Sequence, residues 1–155
     1  MTFYQLIAIL SIDRMCLEVV LIKLSTQSKK NDVMNFLEQL QNVLQDKKFD
    51  IVTNFTLIIK KKSMDKERYS TPYTLLELDY DAYDVVEHLK ILTIEEYVET
   101  LIDKDDLNPP LLFVFGININ NKQVYVKLKI KENQAKHVLC VSFHYAEKKM
   151  SFPYA

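Results

Sequence analysis

The chain has 155 residues, of which 48% are hydrophobic, and its formal net charge is −1. A chain of this length and apolar content should fold into one globular domain with a substantial core, which excludes a wholly disordered protein. The single glycine, Gly116, excludes a glycine-rich phosphate loop and a dinucleotide-binding fingerprint, because each needs several glycines at fixed spacing. We therefore expect no nucleotide cofactor.

The first 24 residues are strongly apolar but are interrupted by Asp13 and Arg14. Neither apolar piece reaches the roughly 18 to 20 apolar residues that a membrane-spanning helix needs, and no secretory leader pattern is visible. No membrane segment is expected. Residues 1–30 are either an additional strand or helix packed on the domain, or an extension that precedes a single domain of residues 31–155.

The cysteines and histidines do not predict a metal site. Cys16 and Cys140 lie far apart in apolar surroundings, which is typical of reduced, buried thiols in a cytoplasmic protein. His88, His137 and His144 have unlike surroundings, and no Cys and His group has the spacing of a zinc site. We expect no metal or other cofactor and a location in the cytoplasm.

The first half of the domain is predicted as a helix followed by a strand. Apolar residues recur at helical spacing from Asn31 to Gln45, which predicts an amphipathic helix with one buried stripe. Residues 49–60 are predicted as a strand, residues 61–73 as a polar loop, and residues 74–78 form a short apolar segment. The predicted buried stripe of the helix comprises Val33, Phe36, Leu37, Leu40, Val43 and Leu44.

Two further helices are predicted in the acidic middle of the chain. The first runs from about Ala82 to Leu92. Thr93 and Glu96 have the spacing of a capping box, which predicts a short helix from there to about Leu101. An acidic loop that ends in two prolines, residues 103–110, then separates the helices from the strands.

Three antiparallel strands are predicted between Leu111 and Tyr145. Asn120 and Asn121 both tolerate the positive φ of a two-residue type I′ turn, so the first hairpin is centred on them. This register collects the apolar residues on one face of the sheet. The predicted pairs are Ile119 with Lys122, Ile117 with Val124, Phe115 with Val126 and Phe113 with Leu128 on that face, and Asn118 with Gln123, Gly116 with Tyr125, Val114 with Lys127 and Leu112 with Lys129 on the other.

A polar loop, residues 131–137, closes the second predicted hairpin. A symmetric closure brings Tyr125 opposite His144 and Lys127 opposite Ser142 on the polar face. The same register predicts the apolar pairs Ile130 with Leu139, Leu128 with Val141 and Val126 with Phe143.

Tyr125, His144 and Lys127 are therefore a candidate acid-base site beside Gly116, which is expected to leave Tyr125 uncovered. A histidine titrates near neutrality, a lysine ammonium holds an anion, and a tyrosine hydroxyl donates a hydrogen bond or a proton. The alternative is that these side chains are ordinary occupants of the solvent face of a half-buried sheet.

Charge is distributed unevenly along the chain. Residues 77–106 contain eleven acidic side chains but only two lysines, whereas residues 60–62 and 122–131 are rich in lysine. This pattern would steer a polyanion towards the sheet. The alternative is a solvated surface of mixed charge.

Four blocks of sequence carry a family resemblance: residues 78–86, 92–98, 123–130 and 141–144. In their order they resemble the blocks of the motility quorum-sensing regulator (MqsR) toxins, over roughly residues 31–145. The last two blocks, Val-Tyr-Val-Lys and Val-Ser-Phe-His strands, are the most specific. The resemblance implies a RelE-like α+β fold, in which N-terminal helices pack on one face of a twisted antiparallel sheet that ends in a three-stranded meander.

The MqsR family are messenger-RNA interferases of type II toxin–antitoxin pairs, so the resemblance implies that messenger RNA and an antitoxin protein are the partners. The family's catalytic tyrosine corresponds to Tyr125, and a lysine of its last strand corresponds to His144. A further family lysine and a glutamine correspond approximately to Glu99 and Val114.

The leading hypothesis is a metal-independent messenger-RNA endoribonuclease. In such an enzyme the 2′-hydroxyl attacks the adjacent phosphate, which needs a base, an acid and a cation. We assign proton transfer to His144, proton transfer or phosphate hydrogen bonding to Tyr125, and charge stabilisation to Lys127. The predicted RNA contacts are Lys129, Lys131 and Lys122.

Two rival hypotheses remain. A catalytically degenerate RelE-like module that binds a protein partner would fit Glu99, Val114 and the acidic middle of the chain. An RNA-binding protein without catalysis is the other. The C-terminal segment, residues 146–155, either folds back over the polar face and helps to form a pocket or covers an apolar edge, and we expect the second.

Overall fold

The computed structural model describes residues 25–132 and 135–155, and within these residues it has an α+β architecture. The predictions for residues 1–24, including Cys16, lie outside the described residues. The helices are α1 (Lys30–Gln45), α2 (Ile51–Asn54), α3 (Thr71–Leu78) and α4 (Ala82–Lys90), with single 3-10 segments at Met64–Tyr69 and Ile94–Glu96. The strands are β1 (Phe55–Leu57), β2 (Tyr97–Ile102), β3 (Leu111–Ile119), β4 (Lys122–Glu132) and β5 (Lys136–Tyr145).

The five strands form one mixed sheet in the order β1-β5-β4-β3-β2. β3, β4 and β5 form the predicted antiparallel meander. The expectation of a wholly antiparallel sheet is wrong, because β1 pairs with β5 in parallel. None of the helices in the described residues is long and apolar enough to cross a membrane.

The core lies between the apolar face of the sheet and the helices α1 and α4. The six predicted apolar residues of α1 are all buried, as their helical spacing requires. The ring of Phe36 stacks on that of Phe113 in β3, with centroids 4.1 Å apart. Cys140 is a free, fully buried thiol in this core, and burial raises its pKa to about 12.

The predicted strand at residues 49–60 is mostly not a strand. Asp50 accepts hydrogen bonds from the Thr53 amide (3.0 Å) and hydroxyl (2.6 Å), which caps the single-turn helix α2. Only β1 remains extended. The predicted polar loop at residues 61–73 is also partly wrong, since it contains a 3-10 helix and the first residues of α3.

The predicted third helix, which was to end near Leu101, is wrong as well. Thr93 and Glu96 do form the capping box, but the helix lasts one 3-10 turn and the chain then becomes β2. Tyr97 is completely buried and meets Phe115 of β3 edge to face, with centroids 6.0 Å apart. Burial and strand pairing outweigh the local helix signal here. As a result, Glu99 lies on the sheet, opposite Val114.

Residues 25–29 contact the outer edge of the sheet through one isolated bridge at Thr26. Thr26 and Thr100 exchange two backbone hydrogen bonds of 2.9 and 2.8 Å. The Ser28 amide also donates to the Tyr97 hydroxyl at 2.8 Å. This short segment therefore pairs with the outer edge of β2.

The register of the first hairpin is as predicted. Asn120 and Asn121 adopt φ values of 51° and 65°, which fits the type I′ turn. The observed pairs run from Ile119 with Lys122 to Phe113 with Leu128.

The register of the second hairpin is right only near the site. Tyr125, Val126 and Lys127 pair with His144, Phe143 and Ser142, but β5 then contains one extra residue, Val141, as a β-bulge. The remaining predicted pairs are therefore displaced by one residue. The observed pairs there are Leu128 with Cys140, Lys129 with Leu139 and Ile130 with Val138.

Candidate active site

The polar face of the sheet brings Tyr125, His144 and Lys127 together in one cavity of about 880 Å³, called here the active-site cavity. Two rows of residues run across the strands on this face: one is Glu99, Val114, Lys127 and Ser142, and the other is Gly116, Tyr125 and His144. The other basic side chains that line the cavity are Lys60, Lys62, Lys148 and Lys149.

The Tyr125 and His144 rings lie against each other across β4 and β5. Their centroids are 5.1 Å apart and their planes differ by 17°, so the rings are stacked. His144 is 9% exposed. The pair is thus a largely desolvated floor of the cavity.

The hydrogen bonding of His144 fixes which nitrogen carries its proton. Nδ1 lies 2.9 Å from the carbonyl oxygen of Tyr145, and a carbonyl only accepts, so Nδ1 donates. Burial is the main cause that lowers the pKa of His144. The hydrogen bond to the Tyr145 carbonyl opposes this shift, and the positive charges of Lys62 and Lys127 lower the pKa further. At neutral pH the ring is therefore uncharged, with its lone pair on Nε2, which is the state of a general base.

Helix α3 holds the end of β5 that carries His144. β1 is too short to pair with this end, so two backbone N–H groups would lack a strand partner. Thr71 Oγ1 accepts from the Phe143 amide at 3.2 Å, and Thr74 Oγ1 accepts from the Tyr145 amide at 3.0 Å. Both threonines are buried. His144 thus lies between two residues whose backbone is hydrogen-bonded to a helix.

Tyr125 is a proton donor over the whole physiological range. Burial is the first cause, and the nearby Glu99 carboxylate the second, that raises the pKa of Tyr125 to about 12. The hydroxyl is therefore protonated at neutral pH.

In the strand register, Lys127 is the cation nearest to the rings of Tyr125 and His144. Burial is the largest cause that lowers its pKa, Asp103 opposes that shift, and Lys60 and Lys62 lower the pKa further. A desolvated ammonium beside other cations is a strong site for an anion such as phosphate.

Glu99 is one of three acidic residues that line the cavity, with Asp105 and Glu147. It lies in the same row as Lys127, on β2, and it accepts a hydrogen bond from the hydroxyl of Ser25. The sequence prediction placed this residue at the end of a helix. Its position on the sheet, close to Tyr125, sets a negative charge opposite the lysines.

Gly116 does not leave Tyr125 uncovered, because the C-terminal segment folds back over the polar face. A Cβ on Gly116 would lie 2.6 Å from Met150 Cε and 2.9 Å from the Phe152 ring. Tyr154 stacks on Tyr97 with centroids 5.6 Å apart. Residues 146–151 therefore form part of a cavity wall, whereas Tyr154 covers the apolar core at Tyr97, so each of the two alternatives from the sequence holds for one part of the segment.

No protein-family model, curated protein or solved structure matches the chain. The assignment of a function to the cavity consequently depends on the chemistry of its side chains.

Lys129, a predicted RNA contact, has a different role. Its side chain is 1% exposed, and its ammonium binds the carboxylates of Asp103 and Asp106 and the carbonyl of Pro109. The loop after β2 closes over it. Lys129 therefore anchors this loop and is not accessible to RNA.

The other two predicted RNA contacts lie outside the active-site cavity. Lys131 is partly exposed and pairs with Asp106 at 2.8 Å. Lys122 is 58% exposed and pairs with Glu77 at 2.7 Å, beyond the turn between β3 and β4. The sequence showed residues 60–62 as lysine-rich, but no strand register could assign the loop residues Lys60, Lys62, Lys148 and Lys149 to the cavity.

The described residues contain no cluster of three or more His, Cys, Asp or Glu side chains that could hold a metal ion. The cavity is lined by an uncharged imidazole, a protonated phenol and several ammonium groups, together with the carboxylates of Glu99, Asp105 and Glu147. This is a set of groups that moves protons beside a bound anion.

Proposed function

We propose that this protein is a metal-independent endoribonuclease with a RelE-like fold, which cleaves messenger RNA as the toxin of a type II toxin–antitoxin pair. One observation carries the proposal: the stacked Tyr125 and His144 pair lies in a cavity lined by lysines. The resemblance of four sequence blocks to MqsR toxins supports the same assignment and puts the family's catalytic tyrosine at Tyr125.

The reaction would begin with His144. Its Nε2 takes the proton of the ribose 2′-hydroxyl as the 2′-oxygen forms a bond to the adjacent phosphorus. The bond from phosphorus to the 5′-oxygen breaks, and the departing oxygen takes the proton of the Tyr125 hydroxyl. His144 then returns its proton to the tyrosine phenolate. The products are a 2′,3′-cyclic phosphate and a 5′-hydroxyl end.

Lys127 would stabilise the charge that builds up on the phosphate oxygens in the transition state. The four lysines at the cavity wall would hold the flanking backbone phosphates, and binding would weaken as the salt concentration rises. Lys60, Lys62, Lys148 and Lys149 are those four.

A second candidate is an interaction module with a degenerate site. It is favoured by Glu99, whose charge opposes the entry of a phosphate, and by the C-terminal segment that covers Gly116. In that case the cavity would bind an antitoxin or another protein, and no RNA would be cleaved.

The test is cleavage of messenger RNA by purified protein with a metal chelator present, together with growth of a bacterial host after induction. We expect the wild type to cleave and His144→Ala to lose at least about 100-fold in rate, as the removal of a general base does. Tyr125→Phe should lose a similar factor. His137→Ala is the matched control, because His137 is on the same strand but bonds Thr53 and Thr56 outside the cavity.

The outcomes separate the two candidates. Cleavage by the wild type and the control alone, with cyclic-phosphate ends, would support the ribonuclease. An inactive but folded wild type would favour the interaction module. Undiminished cleavage by His144→Ala would overturn the assignment of the base.

A further inference from the structure

A second cavity, of about 540 Å³, adjoins the active-site cavity and has no role in the chemistry described above. It is lined by three tyrosines, Tyr69, Tyr73 and Tyr145, and by cations that include Arg68 and Lys122. We call it the tyrosine cavity.

The two cavities share one wall. Residues 146–149 line both of them, so Lys148 and Lys149 are accessible from either side. Within that wall, Glu147 is paired with Lys66 at 3.1 Å. A chain that passes from one cavity to the other must therefore cross two exposed lysines.

Two of the three tyrosine rings each have a cation over one face. The Arg68 guanidinium lies 4.9 Å from the centroid of the Tyr69 ring, and the Lys122 ammonium lies 4.9 Å from that of Tyr145. Tyr73, in the first turn of α3, has no such cation over it among the described contacts and is 38% exposed. Its ring is the open aromatic surface of the cavity.

Glu77 organises these groups from α3. Its Oε1 accepts from Lys122 at 2.7 Å and from the Tyr145 hydroxyl at 3.2 Å, and the proximity of the carboxylate raises the pKa of Tyr73. A carboxylate at this position accepts N–H groups, which the edges of nucleobases present, and repels a phosphate. The centre of the cavity thus suits a base, and its basic rim suits the backbone.

We propose that the tyrosine cavity binds the base of a nucleotide that flanks the cleaved phosphate, in a single strand that crosses Lys148 and Lys149 between the two cavities. The base stacks on Tyr73, as bases do on aromatic platforms in single-strand binding proteins. This subsite rests on the proposed ribonuclease function and extends it to the binding of the substrate strand.

The experiment measures binding without cleavage. The probe is a fluorescein-labelled tetranucleotide with 2′-deoxy sugars, which lacks the attacking hydroxyl, and the readout is fluorescence anisotropy at low salt. Tyr73→Ala should weaken binding on the order of tenfold, because one stacked base is lost. Tyr73→Phe keeps the ring and should bind as the wild type does. Tyr83→Ala is the matched control, since Tyr83 is also an exposed helical tyrosine (65%) but lies outside both cavities.

Length dependence supplies a second readout. A dinucleotide probe fills only the active-site cavity, so Tyr73→Ala should bind it as tightly as the wild type does. Equal affinity of Tyr73→Ala and the wild type for the tetranucleotide would overturn the subsite, and so would an equal loss with Tyr83→Ala. An inactive wild type that still loses tetranucleotide binding through Tyr73→Ala would reject the ribonuclease but retain the nucleotide site. A wild type that binds neither probe would overturn the subsite, in favour of a cavity for a partner protein.

Discussion

Tyr125 and His144 face each other across β4 and β5, where β4 is held in register by its pairing with both β3 and β5. The asparagine turn sets β4 against β3, and the pairing of β4 with β5 follows the predicted register up to Lys127. The bulge at Val141 begins only beyond the stacked rings. The two candidate proton-transfer groups therefore lie in the part of the β4–β5 ladder that precedes the bulge.

The environments of His144 and Lys127 predict the pH profile of cleavage. The pKa of His144 is lowered from 6.5, so its base form persists to mildly acidic pH, and kcat/KM should rise with pH through a midpoint below 6.5. The pKa of Lys127 is lowered from 10.5, so the alkaline limb should have its midpoint below that value. Tyr125, at about 12, should titrate later than both.

The measurement is kcat/KM on a short RNA over this range, corrected for the rate without enzyme. Lys127→Arg is the informative variant, because arginine keeps its charge beyond about pH 12. It should remove the alkaline limb and leave the acid limb in place. An alkaline limb that Lys127→Arg does not move would contradict the role of Lys127.

Glu99→Gln should tighten the binding of RNA. The substitution removes a negative charge from the row that contains Lys127, and at low salt one such charge near a phosphate is worth on the order of tenfold in affinity. The measurement is the anisotropy of a 2′-deoxy probe at two salt concentrations. Glu95→Gln changes the same net charge from an exposed site outside the active-site cavity and should have little effect. Unchanged or weaker binding by Glu99→Gln would show that no phosphate approaches this row.

The sequence predicted the pairing of Tyr125 with His144 better than it predicted the elements around it. Alternation and turn chemistry are local signals, and they were enough to place Tyr125 opposite His144. The bulge at Val141 leaves no comparable local signal, since it depends on how β5 packs between β1 and β4.

The error in the third predicted helix has a tertiary cause. The capping box at Thr93 does form, but tertiary burial of Tyr97 ends the helix after one turn, and the chain continues as β2.

Lys129 was expected to be exposed from strand alternation alone. The loop that covers it comes from a segment 20 to 26 residues away, so its burial could not be predicted from the strand pattern.

Lys129→Met should destabilise the fold without changing RNA binding. The substitution leaves the buried Asp103 carboxylate without its cation, and breaking a buried pair in this way costs about 3–5 kcal/mol in the free energy of unfolding. Lys131→Met is the control, because that more exposed pair should be worth no more than about 1 kcal/mol. Urea unfolding gives both values.

The RNA arm of this experiment separates a structural lysine from a phosphate contact. If Lys129 bound a phosphate, its removal would reduce the slope of log affinity against log salt by about 1. We expect no change in slope for Lys129→Met and a reduction for Lys148→Met. A reduced slope with unchanged stability for Lys129→Met would restore the prediction made from the sequence.

Gly116→Ala should loosen the C-terminal segment while the sheet stays folded. The backbone of Gly116 does not have a positive φ, so alanine is tolerated there, but the new Cβ would meet Met150 and Phe152 at 2.6 to 2.9 Å. Both neighbours are side-chain ends that can move away, which shifts the strain to the segment rather than to β3. Trypsin should then cleave the Lys149–Met150 bond of the segment faster than in the wild type, with the thermal midpoint nearly unchanged. Asn118→Ala, at an exposed position two residues along the same strand, is the control and should leave the cleavage rate unaltered. An unchanged rate for Gly116→Ala would mean that the packing of Phe152 on Gly116 does not hold the segment in place.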